Sequence, residues 1–431
     1  MSNFNNLSSQ ELQEYKTKLM KRYHEFQLKN LTIDMTRGKP CPEQLDLSMD
    51  MLTCINAQDF QSEDGVDCRN YGGLDGILEA KKLFSTYLEV EPDEVIIGGN
   101  SSLTMMHDII LQAMIHGVAE GSVSWGKLSQ VKFLCPCPGY DRHFSICEHL
   151  GIDMIPVEMK DYGPDISQVE RLAAEDDAVR GIWCVPKYSN PTGVIYSDEV
   201  VDRLANMKTK AEDFRIFWDN AYAVHHLTDR PKKLKHILQA CKKAGNPDRA
   251  LIFGSTSKIT FAGAGLAMMA GSKRNIDFAK KLMFFQTIGP DKLNQLRHVR
   301  FLKNMEGIES HMKKHAAILK PKFDMVLSIL EKELDDKDIA TWSQPAGGYF
   351  ISVDTPDGCA EAVIKMAAKA GVKLTPEGST FPYKKDPKDR NIRLAPTFPS
   401  LEDIQTAIEI LTICIQLVSI ENFDLSSFVT N

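Results

Sequence analysis

The chain has 431 residues, with 51 Lys and Arg set against 58 Asp and Glu, a net charge of −7. Its 43% hydrophobic and 25% charged content is ordinary globular composition and excludes disorder, collagen and coiled coil. The acidic balance gives no electrostatic reason to bind a polyanion, so nucleic acid is not an expected partner.

The first predicted element is a helix: Ser8 and Glu11 have capping-box spacing, and Leu12, Tyr15, Leu19, Tyr23 and Phe26 form an apolar stripe. An irregular stretch, TRGKPCPEQLDLS, follows, broken by Pro40 and Pro42. From Glu94 onward short apolar runs alternate with helical segments. The runs are EVIIGG, VKFLCP, MIPVEM, GIWCVP, RIFWDN, ALIFGS and LAMMAGS, with helices expected at 102–116, 142–150 and 197–208. Such alternation predicts right-handed crossovers and an α/β fold with a mostly parallel sheet covered on both faces.

That region ends near Lys273. A helical tract over 309–334 follows, with Pro321 as an expected kink. Then come AGGYFISVD, EAVIKMAAKAG, VKLTPEG, NIRLAP and a closing helix opened by Ser400 with Asp403, which read as a smaller α+β domain. The expected division is an N-terminal arm and part of the small domain at 1–55, a large domain at 56–315 and a C-terminal small domain at 316–431. The longest apolar run, Ile410 to Ile420, holds Thr412 and Gln416, so no membrane span is expected. The opening MSNFNNLSSQELQEYK has neither a basic nor an apolar leader segment. A cytoplasmic location is therefore expected, with the ten cysteines as buried thiols rather than disulfides.

The chemistry is positional. In an open α/β sheet, ligands bind outside the carboxyl ends of the strands. Polar residues fall at five such ends: Asn100–Ser102, Tyr140, Asn190, Asp219 and Ser255–Lys258. A lysine after a strand is suited to carry a carbonyl compound as a Schiff base. A carboxylate ending an apolar strand needs a cationic or hydrogen-bonding partner, and a protonated pyridine nitrogen is one. A helix N-terminus at Ser102 would take a phosphate, and the Tyr140 ring would stack on a flat cofactor. Together these requirements describe pyridoxal 5'-phosphate.

Eight motifs stand in a fixed order: TRGKP at 36–40, NYGGLDG at 70–76, GGNSSL at 98–103, PGYDRH at 138–143, YSNPTG at 188–193, DNAY at 219–222, STSK at 255–258 and NIRLAP at 391–396. With them the chain resembles the pyridoxal-phosphate-dependent aminotransferases of class I, on the fold-type-I scaffold. It is most similar to the divergent subgroup labelled aspartate aminotransferase, and the resemblance covers nearly the whole chain. It implies that Lys258 forms the internal aldimine and shuttles a proton, that Asp219 holds the pyridine nitrogen, and that Tyr222 and Asn190 bond the phenolic oxygen. By the same resemblance Asn100, Ser101, Ser255 and Ser257 are phosphate ligands, and Tyr71 reaches the phosphate of a neighbouring subunit in a homodimer with shared sites. Arg393 would grip the substrate α-carboxylate, and the Gly38 backbone would lie against substrate.

The implied reaction is ping-pong transamination from L-aspartate to 2-oxoglutarate. A β-lyase or decarboxylase of an amino acid is the alternative, since the same electron sink serves each bond cleavage. A non-enzymatic regulatory domain is a third reading, which the roughly 30 residues before TRGKP leave without room for a DNA-binding segment. Three features depart from the family pattern, one being Tyr140 where aspartate enzymes often carry a tryptophan. Leu266 stands where a phosphate-binding arginine is usual, and FFQTIGPDK lacks the arginine for a distal carboxylate, leaving Arg37, Lys39 and Arg142 as substitutes. Plainer readings stand beside these. NPTG is turn chemistry, the serines are helix caps, and Tyr140 is a core aromatic. GAGLAM at 263–268 lacks a third fingerprint glycine, and adjacent His225 and His226 are not at metal-ligand spacing, so no metal is expected.

Overall fold

The computed structural model describes residues 8–429. The first seven residues, on which part of the leader reading rests, lie outside that range. Ser8 caps the Ser9–Gln27 helix, with the reciprocal Glu11 bond in place. Eight strands form the main sheet, in the order Val95–Ile97, Ala267–Gly271, Ala250–Ser255, Arg215–Asp219, Val179–Cys184, Lys132–Cys137, Asp153–Lys160 and Gly163–Pro164. All seven apolar runs of the sequence are strands of this sheet.

Parallel pairing joins the five strands from Ala250–Ser255 through to Asp153–Lys160. Ala267–Gly271 is antiparallel to both neighbours, which leaves Val95–Ile97 running the same way as the parallel set. The sheet is thus mostly parallel, as expected. Its central strands are buried at every position, because helices cover both faces and no polar alternation survives. Trp218 and Ile252 pack into the core on one face, and Phe217, Leu251 and Phe253 into the core on the other.

A further core gathers Leu19 and Tyr23 of the first helix, Phe323 and Leu330 of the Met305–Leu334 helix, Ile351, Ile392, Leu394 and the terminal helix. Pro321 lies within one helix there, so the expected kink does not divide that element. Beside it sits an antiparallel sheet of Thr341–Trp342, Ile351–Asp354 and Asn391–Leu394. Ile33–Asp34 pairs with Val372–Lys373, tying the N-terminal arm to this C-terminal layer.

The terminal helix, Leu401–Val429, extends well beyond the apolar run Ile410–Ile420. Its Leu401–Asn422 stretch, which holds an 18-residue window with a mean hydropathy of 1.5, is long and apolar enough to cross a membrane by length and composition. Thr412 and Gln416 do not interrupt it, because Thr412 bonds back to the Glu409 carbonyl and Gln416 takes the Tyr15 hydroxyl bond. In the fold 78% of that window is buried, as a core helix. All ten cysteines are free thiols, nine of them buried. Leu411→Ala, which empties part of this core, is expected to cost roughly 2–5 kcal/mol. A urea unfolding midpoint equal to that of the parent chain would refute the packing described.

Candidate active site

Because the strands carrying Asn100, Tyr140, Asn190, Asp219 and Ser255 all run the same way, their carboxyl ends lie along one edge of the sheet. Lys258 sits in the tight turn after Ala250–Ser255, closed by the Ile259 and Thr260 amides donating to the Thr256 carbonyl, both at 2.8 Å. Its Nζ lies 5.3 Å from the centre of the Tyr222 ring and 5.8 Å from that of Tyr349. Burial pushes the Lys258 amine below the ordinary lysine range, and the Asp219 charge opposes that shift in part. The His225 Nε2–H donates to the Lys258 carbonyl at 3.2 Å, which fixes the backbone of the turn. The rings of Tyr222 and Tyr349 are stacked 5.8 Å apart, and burial pushes the Tyr222 phenol well above its usual range.

Asp219 ends the neighbouring strand and is buried. Its Oδ2 is 3.0 Å from His143 Nε2, whereas Oδ1 is buried with no partner. An unpaired buried carboxylate oxygen is costly and marks a place for a donor from outside the chain. The His143 imidazole stacks on Trp183 at 4.1 Å with an interplanar angle of 7°, and Tyr140 meets it edge-on at 4.9 Å. Ring packing therefore sets the direction of the bond to Asp219.

Arg393 comes from the fully buried strand Asn391–Leu394 of the second sheet. Its Nη1 donates to Asp141 Oδ1 at 2.8 Å and, more weakly, to Asn190 Oδ1 at 3.4 Å. Its Nη2 contacts the Thr36 carbonyl at 3.5 Å, and its Nε is buried with no partner. The Phe350 ring lies 5.0 Å from the guanidinium carbon. Gly38, two residues beyond Thr36, is required by close packing: a Cβ there would stand 2.5 Å from Phe350 Cζ. Gly193 of NPTG has a φ of +74°, which favours glycine, and a Cβ would meet Pro345 at 2.5 Å.

Asn100 and Ser101 precede the Ser102–His116 helix, and the Ser257 hydroxyl donates to the Asn100 carbonyl at 3.1 Å. The Asn100 amide donates to the Gly263 carbonyl at 3.4 Å, so its side chain is partly committed within the chain. Ser255 is buried at the end of its strand. A cavity of about 320 Å³ opens beside this helix start, lined by Asn100, Ser101, Thr104, Met105, Gln286 and Thr287 among others, but not by Lys258. Leu266 is buried, and its amide donates to Thr256 Oγ1 at 2.8 Å, so that position faces the core rather than the cleft.

Tyr71 is not brought to Lys258 within this chain: it is 79% exposed, on a loop beside Ile288 and Pro290. Arg37 is exposed, Lys39 places its Nζ 3.8 Å from the centre of the Phe398 ring, and Arg142 is exposed on the first turn of its helix. Among the described residues no His, Cys, Asp and Glu cluster could hold a metal. The sequence reading missed His143, Asp141, Trp183 and Tyr349.

A mostly parallel sheet with a lysine turn beside an acid-terminated strand is the architecture of the fold-type-I aminotransferases, and the chain is an aminotransferase of that fold. The aspartate amino-transferase family model matches residues 7–425, and the chain belongs to that family. It is similar to an aspartate aminotransferase of Corynebacterium glutamicum, 44% identical over 405 residues, or 94% of each chain. The solved aspartate transaminase of Corynebacterium glutamicum superposes with a TM-score of 0.94 at 42% identity, covering 97% of this chain and 98% of that one. The fold extends to an alpha-aminoadipate aminotransferase of Thermus thermophilus, solved with N-(5'-phosphopyridoxyl)-L-leucine. That match has a TM-score of 0.73 at 19% identity and covers 92% of this chain and 95% of that one.

The depressed amine of Lys258 has a consequence for stability. With the folded value below the unfolded one, the unfolded chain binds more protons between the two, so stability rises with pH through that window. Below the folded value the penalty of charging the amine is fully present. Lys258→Met is therefore expected to raise the melting temperature of the cofactor-free chain at pH 7, with the gain shrinking as pH approaches the ordinary lysine range. A variant that melts at or below the parent at pH 7 would contradict the shift.

Proposed function

We propose that the chain is a pyridoxal-phosphate-dependent L-aspartate:2-oxoglutarate aminotransferase working by a ping-pong cycle. The observation that carries this reading is the buried, partnerless Oδ1 of Asp219 one strand away from the Lys258 turn. The residues fit the cofactor: a carboxylate oxygen for a protonated ring nitrogen, an amine with a depressed pKa for an aldehyde, and a helix start with free amides for a phosphate. When bound, pyridoxal phosphate supplies an aldehyde that condenses with amines and a ring that withdraws electrons from the substrate Cα.

The chain's own groups then have defined tasks. Lys258 Nζ would hold the aldehyde group of the cofactor and would be the base placed to move the proton at the substrate Cα. Its depressed pKa keeps more of the amine neutral and able to accept that proton. Asp219 Oδ1 would accept the ring N–H, while His143 holds Oδ2 and keeps the carboxylate in line. Tyr222 and Asn190 are assigned to the ring oxygen, Tyr140 to stacking, and Asn100, Ser101, Ser255 and Ser257 to the phosphate. Arg393 binds the α-carboxylate of donor and acceptor alike, with Asn190 and the Gly38 backbone beside it. The buried, partnerless Nε of Arg393 supports an acceptor arriving from outside the chain.

The division at 1–55, 56–315 and 316–431 is supported by the separate apolar cores, one built from residues 68–312 and another from 19–35 with 323–420. Homodimerisation is supported by an exposed apolar surface holding Tyr71, Phe284, Phe285 and Ile288, with Phe285 82% exposed. In that dimer Tyr71 completes the phosphate site of the partner subunit. A cytoplasmic location is supported by ten free thiols.

Reconstituted wild type is expected to show a visible absorption band that Lys258→Ala loses, with glutamate formation from aspartate and 2-oxoglutarate falling roughly a thousandfold or more. A colourless wild type that ignores added cofactor refutes the proposal. Pyruvate or alanine produced without glutamate moves the reading to a lyase or decarboxylase. Separately, Phe285→Glu is expected to shift the chain to a monomer in light-scattering chromatography, and a variant that stays dimeric would remove that surface from the interface.

A further inference from the structure

Asp141 is the one ion-pair partner of Arg393 among the described residues. A guanidinium buried in an apolar strand is costly without a counter-charge, so something must neutralise it before a substrate arrives. We propose that Asp141 is a built-in stand-in for the substrate carboxylate, which holds Arg393 in the resting protein and gives way when a carboxylate binds. This rests on the reading of Arg393 as the α-carboxylate anchor.

The nitrogen involved argues for exchange rather than for simultaneous binding. Arg393 Nη1 is shared between Asp141 Oδ1 at 2.8 Å and Asn190 Oδ1 at 3.4 Å. A carboxylate seated between Arg393 and Asn190 must use that same nitrogen. Asp141 engages it through a single oxygen, whereas an incoming carboxylate can form a two-bond fork, since among the described residues Nη2 has only the 3.5 Å hydrogen bond to the Thr36 carbonyl. The newcomer therefore gains a bond that Asp141 lacks.

Release of Asp141 is also inexpensive. Its side chain is 34% exposed, so water is at hand. It opens the Asp141–His149 helix, whose N-terminus favours a negative charge whether or not Arg393 is near. Asp141 belongs to the helix packed on the large sheet through Phe144 and Cys147, while Arg393 belongs to the strand packed in the C-terminal core through Ile392 and Leu394. The pair thus bridges the two cores across the cleft, and exchange replaces a link within the chain by one through the substrate. A ligand without a carboxylate cannot drive that exchange, so Asp141 selects against amines that lack one.

The test is calorimetric titration of succinate, which has carboxylates and no amine, into the chain with and without pyridoxal phosphate. Asp141→Asn is expected to bind succinate roughly tenfold more tightly than wild type, with KM for donor and acceptor falling together. Asp141→Glu, which keeps a competing charge, should stay close to wild type. Asp141→Ser, a helix-capping residue without charge, should repeat the gain and serves if the Asn variant does not fold. Unchanged or weaker succinate binding in the uncharged variants overturns the proposal. Arg393→Lys separates the two readings: if it leaves succinate affinity intact, Arg393 is not the anchor. If it weakens binding while Asp141→Asn brings no gain, the stand-in role alone fails.

Discussion

Everything in the cleft follows from charges held where water is scarce. Asp219 and Arg393 are buried, and Lys258 is packed against two tyrosine rings. Each is only partly satisfied by the chain. Asp219 has a partner on one oxygen, Arg393 has none on Nε, and the Lys258 amine is destabilised as a cation. A fold that needed these groups only for stability would have paired them with each other, or replaced them with apolar side chains. Their incomplete pairing is the physical signature of a site built for other molecules.

The sheet makes that arrangement possible. Parallel strands deliver all their carboxyl ends to one edge, so residues as distant as Asn100 and Ser257 meet without any local contact in the chain. The strands that carry Asp219 and Ser255 are buried on both faces, which is why their ends are rigid and dry. Rigid placement extends outward through Trp183, which fixes the His143 ring by stacking, and through His225, which pins the Lys258 carbonyl. These supporting groups do not touch a reacting atom. They determine where the reacting atoms stand.

Much of this was legible in the sequence, and the limits of legibility have physical causes. Apolar runs ending in Asp219 or in STSK read directly as buried strands with polar tips, because strand burial is written in composition. The partner of Asp219 was not readable, since it depends on how the Asp141–His149 helix is rotated against Trp183. The Asp141–Arg393 bond joins residues 252 positions apart, and no periodicity reports such a contact. The terminal helix misled in another way: Thr412 and Gln416 look like polar interruptions, yet both hydroxyl and amide find partners within the protein, so the helix stays buried. Tyr71 stands exposed and away from Lys258, because the loop that carries it lies beside Ile288 and Pro290 and not at the strand ends.

The N-terminal segment has a part larger than its length suggests. Thr36 offers its carbonyl to Arg393, Gly38 lies against Phe350, and the Lys39 carbonyl accepts the Thr397 hydroxyl at 2.9 Å. Gln44 continues the same seam by donating to Tyr349, whose ring stacks on Tyr222, and it also contacts His315 on the long helix. His311, one turn earlier, reaches the carbonyl of Ile259, the residue after Lys258. The segment is therefore stitched both to Arg393 and, through buried polar groups, to the back of the lysine turn. Polar bonds in such surroundings are directional and costly to break. Any displacement of the segment would therefore disturb the surroundings of Arg393 and the network behind Lys258 together.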